Sequence, residues 1–307
     1  MAKIKLKVVD QISRKKVSDA FDSFMRHCKL KNLAPYSILY YESNVGFFLN
    51  SLPKIKYVDE INQECVNDFI SMLMDRGNRV TAINARLRAA HVFLRYCFEQ
   101  EYLEEFPLSQ IKEDESFKEP YTDAELQKLL KQPADGTWVE WRMWAVVNLL
   151  IATGVRASTV VNIKICDVDF EHNIIRLRKL KNRKQQIIPM SSSLNTALSL
   201  YLKVWDWDDD DYLFPGCHKE QLQPHTLELS IRKYNLSRGV TKTSTHLFRH
   251  TFAKNYILAG GGMIQLQAIL GHSTLDMTRK YVNLYGTDIQ RDFDRLNPLN
   301  NILAKDQ

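Results

Sequence analysis

The stretch WVEWRMWAVVNLLIA, residues 138–152, constrains this chain more than any other. It has the composition of a helix and is apolar on nearly all sides, so other elements must surround it. It is shorter than the roughly 18 apolar residues that mark a membrane span. No other run in the chain approaches that length either. The fold must therefore supply a shell of further segments, and this helix is expected at the buried centre of a domain.

The segments that could form a shell are mostly helical. In residues 17–110, apolar side chains recur at three- and four-residue steps. Val17, Ala20, Phe21, Phe24 and Cys28 make the first stripe. Pro35 suits the first turn of a second helix, which Pro53 follows. A third helix runs from about Asn62 to Asp75 with Val66, Phe69, Ile70 and Leu73 inward, and Gly77 stops it. A fourth, from about Thr81 to Glu99, buries Ile83, Leu87, Ala90, Leu94 and Phe98 and turns Arg86, Arg88 and Arg95 elsewhere. Next comes a polar, acidic, proline-bearing connector. A second module opens at Tyr121, where Thr122 and Glu125 have the spacing of a capping box. Strand signals are confined to VDF, NIIRLRK and KQQIIPM, a small meander with turns near Glu171-His172-Asn173 and Leu180–Lys184. Helices resume at Ser191. The expected fold class is mainly α (α+β), with a helical bundle over 1–110, a linker over 111–120 and a mostly helical domain with a small antiparallel sheet over 121–307.

Composition narrows the function. The net charge is +6, unevenly spread. Residues 1–98 hold 16 Lys+Arg against 9 Asp+Glu, a surplus of +7, whereas residues 99–119 hold 2 against 8, a deficit of −6. Two basic blocks around an acidic connector suit a protein that grips a polyanion. The five cysteines, Cys28, Cys65, Cys97, Cys166 and Cys217, include no Cys-x-x-Cys pair, which argues against zinc or a disulfide framework. Gly260-Gly261-Gly262 follows a helix and reads as a turn, so no phosphate-cradling loop for ATP is visible. The run WDWDDDD reads as a solvated loop. The start of the chain, MAKIKLKVVD, lacks the apolar stretch of a signal peptide, so a cytoplasmic protein without membrane or cofactor is expected.

Several residues in the second module are left over from packing. His246 and Arg249 share a face near the start of a helix that Ser244 or Thr245 would cap, where N–H groups and the dipole favour an anion. Such a pair is also what any solvated helix face carries. Arg156 follows a Thr-Gly break in an apolar neighbourhood and needs an anionic partner, either a carboxylate or a phosphodiester. Lys181 sits at a hairpin turn, where lysines usually only solubilise. In GHSTLDMTRKYVNLY, residues 271–285, Gly271 ends one helix and Ser273 is expected to cap the next with Asp276 at the capping-box position. That arrangement pins His272 in the joint, with Tyr281 two turns on and Tyr285 one turn further.

In order and context these pieces resemble the tyrosine recombinase family of integrases, transposon recombinases and Xer-type resolvases. The matching motifs are TGVR with Arg156, KLKNRKQQIIP with Lys181, HLFRHTFA with His246 and Arg249, LGHS with His272 and TRKY with Tyr281. LAPYSILYYESNVGFFLNSL and TAINARLRAAHVFLRYC resemble two helices of that family's core-binding domain, so the likeness spans residues 15–290.

The resemblance implies a site-specific recombinase that cleaves and rejoins double-stranded DNA through a 3′-phosphotyrosyl link, without metal or ATP, as a homo-tetramer on paired sites. It implies that Tyr281 is the nucleophile, Arg156 and Arg249 clamp the phosphate, and Lys181 is the general acid. His246 and His272 would orient the phosphate, with His246 the proton partner of the tyrosine. Asn84, Arg86 and Arg88 would contact DNA. One departure is Thr159, which stands where the family usually carries an acid. The alternatives are a type IB topoisomerase-like relaxation activity and a non-catalytic DNA-binding protein.

Overall fold

A computed structural model describes residues 14–113, 119–178 and 186–279. The chain divides into two compact units, Met1–Ser116 and Phe117–Gln307.

The first unit contains, among the described residues, the helices α1 (Val17–Leu30), α2 (Pro35–Asn50), α3 (Gln63–Asp75) and α4 (Val80–Glu99). The first stripe turns inward, with Ala20, Phe24 and Cys28 buried and Val17 and Phe21 partly so. Pro35 starts α2, where its missing N–H costs nothing. Asn62 caps α3 by accepting from the backbone N–H of Cys65, and Gly77 ends it in the left-handed region at φ 71°. The other three helices all pack on α4. Phe24 meets Phe93 edge to face at 5.5 Å, and Phe48 meets Phe69 at 5.1 Å. Each of these buried rings contributes ~2 kcal/mol of transfer free energy.

The acidic connector is less of a linker than its charge suggests. Leu103 is buried, and Phe106, Leu108 and Ile111 pack on the same core while Glu104 and Glu105 stay exposed. The residue that fastens it is Asn84, expected to contact DNA and instead 1% exposed. Its amide nitrogen donates to the carbonyl of Ile111 at 2.8 Å and to Glu113 at 2.6 Å, and its oxygen accepts from the Ile111 N–H at 3.0 Å. Both ends of the amide are consumed inside the unit, so Asn84 does not face a groove.

The second unit contains, among the described residues, α5 (Asp123–Leu130), α6 (Trp138–Thr153), α7 (Ala157–Val160), β1 (Val168–Asp169), β2 (Ile174–Leu177), β3 (Gln186–Pro189), α8 (Ser192–Leu202), α9 (Pro224–Ser237), α10 (Thr245–Leu258), α11 (Met263–Leu270) and α12 (Leu275–Arg279). The all-round apolar helix is α6, and α5, α8, α9 and α10 pack on it. The capping box forms, with Thr122 and Glu125 each bonding the other's backbone N–H. Next to it, the Tyr121 N–H donates to Thr251 on α10, and its ring stacks on Phe248 at 4.4 Å. The strands make one antiparallel sheet in the order β1-β2-β3, pairing Val168 with Ile175 and Ile175 with Ile188. The turn between β2 and β3, with Lys181, lies outside the described residues.

The aspartate-rich loop is stitched down: Lys219 pairs with Asp211 at 2.7 Å and Lys164 with Asp210 at 3.1 Å. Among the described residues no helix is long and apolar enough to cross a membrane.

Candidate active site

The site is built where α6 ends. Gly154 closes that helix at φ 63°, and a Cβ there would stand 2.6 Å from Phe252 on α10 and 2.8 Å from Leu270 on α11. Only glycine meets both demands, the left-handed backbone and the close approach of two helices. The chain then straightens at Arg156, the residue that precedes the four-residue helix α7. Arg156 is half-buried and lines a cleft of about 370 Å³ with Ser158, Glu228 on α9, and His246 and Arg249 on α10.

Arg249 is 2% exposed, and two of its partners are backbone carbonyls. It donates from Nη1 to Gly154 O and from Nη2 to Leu270 O, each at 2.8 Å. These are the terminal carbonyls of α6 and α11, which lack intrahelical partners and carry the negative end of the helix dipole. Two helix ends thus supply the anionic surroundings that let a guanidinium be buried. Their convergence explains why Arg249 stands where it does.

Its third contact is with His272, at 2.6 Å from Nη2 to Nε2. A guanidinium only donates, so Nε2 must accept, which puts the imidazole proton on Nδ1 and directs it to Thr278 Oγ1 at 2.8 Å. Burial, then the charges of Arg249, Arg156 and His246, hold the His272 pKa down at about 4 against an ordinary 6.5. His272 is therefore neutral at physiological pH and braces Arg249. The joint around it differs in one detail from expectation. Helix α12 begins at Leu275, so Ser273 is one residue too early to cap it, and its hydroxyl instead meets Met277 Sδ at 3.3 Å. Asp276 pairs with Arg279 rather than closing a capping box.

His246 occupies the first turn of α10, exposed at the cleft, with its ring 5.1 Å from that of His250. Ser244 holds the N-cap position without a side-chain cap bond, and Thr245 is the first helical residue. Four of the anticipated site residues, Arg156, His246, Arg249 and His272, are thus brought to one corner. Lys181, Tyr281 and Tyr285 lie outside the described residues. Thr159 is buried, and its N–H donates to the Arg156 carbonyl at 2.8 Å. In the first unit, Arg88 is exposed and Arg86 stacks its guanidinium on Phe47 at 4.2 Å. Sequence reasoning missed Glu228, Thr278 and Gln186. Thr278 and Gln186 have no local signal because each bonds a residue outside its own element, and Glu228 reaches the cleft only through the packing of α9.

Comparison with known proteins places this corner in context. Residues 121–287 match the phage integrase family. A tyrosine recombinase XerA of Pyrococcus furiosus is 27% identical over 294 residues, covering 94% of this chain and 97% of that protein. A tyrosine recombinase XerC of Thermodesulfovibrio yellowstonii is 23% identical, covering 90% and 95%. Among solved structures, the Tn1549 transposon integrase in complex with a circular intermediate DNA superposes with a TM-score of 0.75 at 20% identity, covering 92% of this chain and 100% of that one. A lambda integrase tetramer bound to a Holliday junction gives a TM-score of 0.71 at 13% identity, covering 89% and 78%.

Proposed function

Because this chain belongs to the phage integrase family, with more than half of its length inside the matching region, we propose that it is a site-specific DNA recombinase acting through Tyr281. The observation that carries the reading is the cleft on which Arg156, His246 and Arg249 converge, with neutral His272 braced against Arg249. A cleft lined by two arginines and a histidine suits a scissile phosphodiester, whose charge grows in the transition state.

The Tyr281 hydroxyl gives its proton to His246 and attacks phosphorus, forming the Tyr–O–P bond. The P–O5′ bond breaks, and the leaving oxygen takes a proton from Lys181. Arg156 and Arg249 stabilise the non-bridging oxygens. His272, with a pKa of about 4, is not a proton donor at neutral pH, and its part is to hold Arg249. The phosphoryl bond stays in the 3′-phosphotyrosyl link, so attack by a second 5′-hydroxyl reverses the step on a new partner without ATP.

Double-stranded DNA is the substrate, and Arg86 and Arg88 contribute phosphate contacts from the first unit. The working assembly is a homo-tetramer on paired sites, as suits strand exchange between two duplexes. Residues after 286 take part in that assembly. Ile289, Phe293, Leu296 and Leu299 recur there at helical steps in the sequence.

The test is covalent trapping on a nicked suicide substrate. Wild type and Tyr285→Phe are expected to form the adduct and Tyr281→Phe to form none; the reverse pattern overturns the assignment. With intact DNA, exchanged junctions that require two sites support a recombinase. Relaxation of any supercoiled plasmid, without exchange, points to a topoisomerase instead.

A further inference from the structure

The last turn of α11 leaves four carbonyls, those of residues 267–270, without intrahelical donors, and the structure accounts for all of them. The His272 N–H takes Gln267 O at 3.0 Å, and the Gly271 N–H takes Ala268 O at 3.1 Å. Arg249 takes Leu270 O. Ile269 O is reached by the side chain of Gln186, whose Nε2 donates to it at 2.7 Å and also to Ala268 O at 2.6 Å. So two side chains from outside hold this helix end. One is the arginine of the reaction corner, and the other comes from the sheet.

The position of Gln186 gives that bond its meaning. It is the first residue of β3 and pairs with Leu177, the last residue of β2, so it stands where the sheet meets the connecting stretch of sequence that holds Lys181. Its Oε1 stands 2.9 Å from where a Cβ on Gly271 would be, so it lies against the left-handed glycine that turns the chain into His272. A glutamine amide suits this place because it is a neutral donor. A carboxylate would repel the negative end of the helix, and an apolar side chain would leave the Ile269 carbonyl unmet.

We propose that Gln186 is a positioning residue for strand cleavage, fixing the base of the Lys181 hairpin to the end of α11 so that the general acid is set in register with the Arg249–His272 pair. The proposal rests on the reading of Lys181 as the acid. A strand base joined to the corner by this clamp gives the stretch that carries the acid a fixed anchor on α11. Without the clamp, the strand base shifts relative to the helix while the core beneath is unchanged. Misplacement by about 1 Å costs about 100-fold in a reaction that depends on alignment.

The experiment compares single-turnover cleavage of two nicked substrates by the full chain, one with an ordinary scissile phosphodiester and one with a 5′-bridging phosphorothiolate. The thiolate leaves without taking a proton, so its departure needs no acid. Gln186→Met is expected to slow the ordinary substrate by about 10- to 100-fold and to cleave the phosphorothiolate at close to the wild-type rate. Gln186→Arg, which restores N–H donors but cannot act as an acid, is expected to recover most of the loss. Retained phosphorothiolate cleavage also shows that the variant is folded. Equal losses on both substrates, or no loss on either, overturn the clamp. Lys181→Ala separates the two ideas. If it too is rescued by the phosphorothiolate, the acid assignment stands and Gln186→Met judges the clamp alone. If it is not rescued, the Lys181 assignment falls and takes the clamp with it.

Discussion

Each unit buries a hydrogen-bonding side chain at its centre: Asn84 on α4, around which the other three helices of the first unit pack, and Arg249 on α10, which packs on the central α6 of the second. Asn84 in the first unit is neutral and serves one short segment, 27 to 29 residues downstream. Arg249 in the second is charged and joins helix ends 95 residues before it and 21 after it. A buried amide that loses its partners costs about the desolvation of its own groups, whereas a buried guanidinium needs its whole surroundings arranged. The first unit therefore keeps its cations at the surface and uses Asn84 to fasten a connector. The second places a cation inside and commits three helices to it.

Breaking that contrast should be most costly at Arg249. Arg249→Ala leaves two helix-end carbonyls unmet, at about 1–3 kcal/mol each, and is expected to destabilise the second unit by about 2–6 kcal/mol, read as a fall in its thermal midpoint. Arg249→Lys keeps the charge but loses the planar fork, and adduct formation should drop by about 100- to 1,000-fold. A lysine variant with normal cleavage would show that charge alone suffices there.

Acid sharpens the comparison, because each unit buries one histidine. His272 has a folded pKa of about 4, and burial beside Arg95 likewise lowers that of His91 in α4. Between pH 6.5 and 4 the unfolded chain binds a proton on His272 that the folded chain refuses. Stability therefore falls as pH drops through that window, by up to about 3 kcal/mol for His272, and this group adds no slope above it. Urea melts at pH 4.5 and 7 should show the difference shrinking in both His272→Gln and His91→Gln. If His91→Gln alone abolished it, His272 would not be buried as described.

Smaller effects are expected in the first unit. Asn84→Ala should cost about 1–3 kcal/mol through the unmet Ile111 groups and leave the salt dependence of DNA binding unchanged. Arg88→Ala should reduce that salt slope by about 1 with little change in stability. The opposite assignment of these two effects would return Asn84 to the DNA surface. The smallest change is expected from Thr159→Glu, which restores the family's usual acid next to the Arg156 turn. Cleavage should stay level or rise by no more than about tenfold, ~1.4 kcal/mol in the barrier; a fall would show that this chain has rebuilt the turn around threonine.

What the sequence disclosed depends on how far each bond reaches. The stripe of α1, the Thr122–Glu125 box and the all-round apolar α6 were legible because their periodicities and caps close within a few residues. Arg156, His246, Arg249 and His272 were legible as motifs, and the structure brings them to one corner. Asn84 was misread because an amide beside Arg86 and Arg88 looks like surface until its partner at Ile111 is known. The Gln186 bonds span 82 and 83 residues and the Arg249–His272 contact 23. No local pattern encodes contacts that only the topology creates.

The apolar helix at the centre has a kinetic consequence. Because α6 ends in the carbonyl that receives Arg249, the α6 side of the corner cannot open by fraying a loop; it opens only when the centre of the domain does. The Arg249 and Thr251 amides of α10 should therefore exchange hydrogen for deuterium at the rate of global unfolding. The seat of Arg249 on α6 and α10 is then as durable as the centre of the domain. Whatever compliance bending and exchanging DNA strands requires must come from parts of the molecule that do not pack on α6.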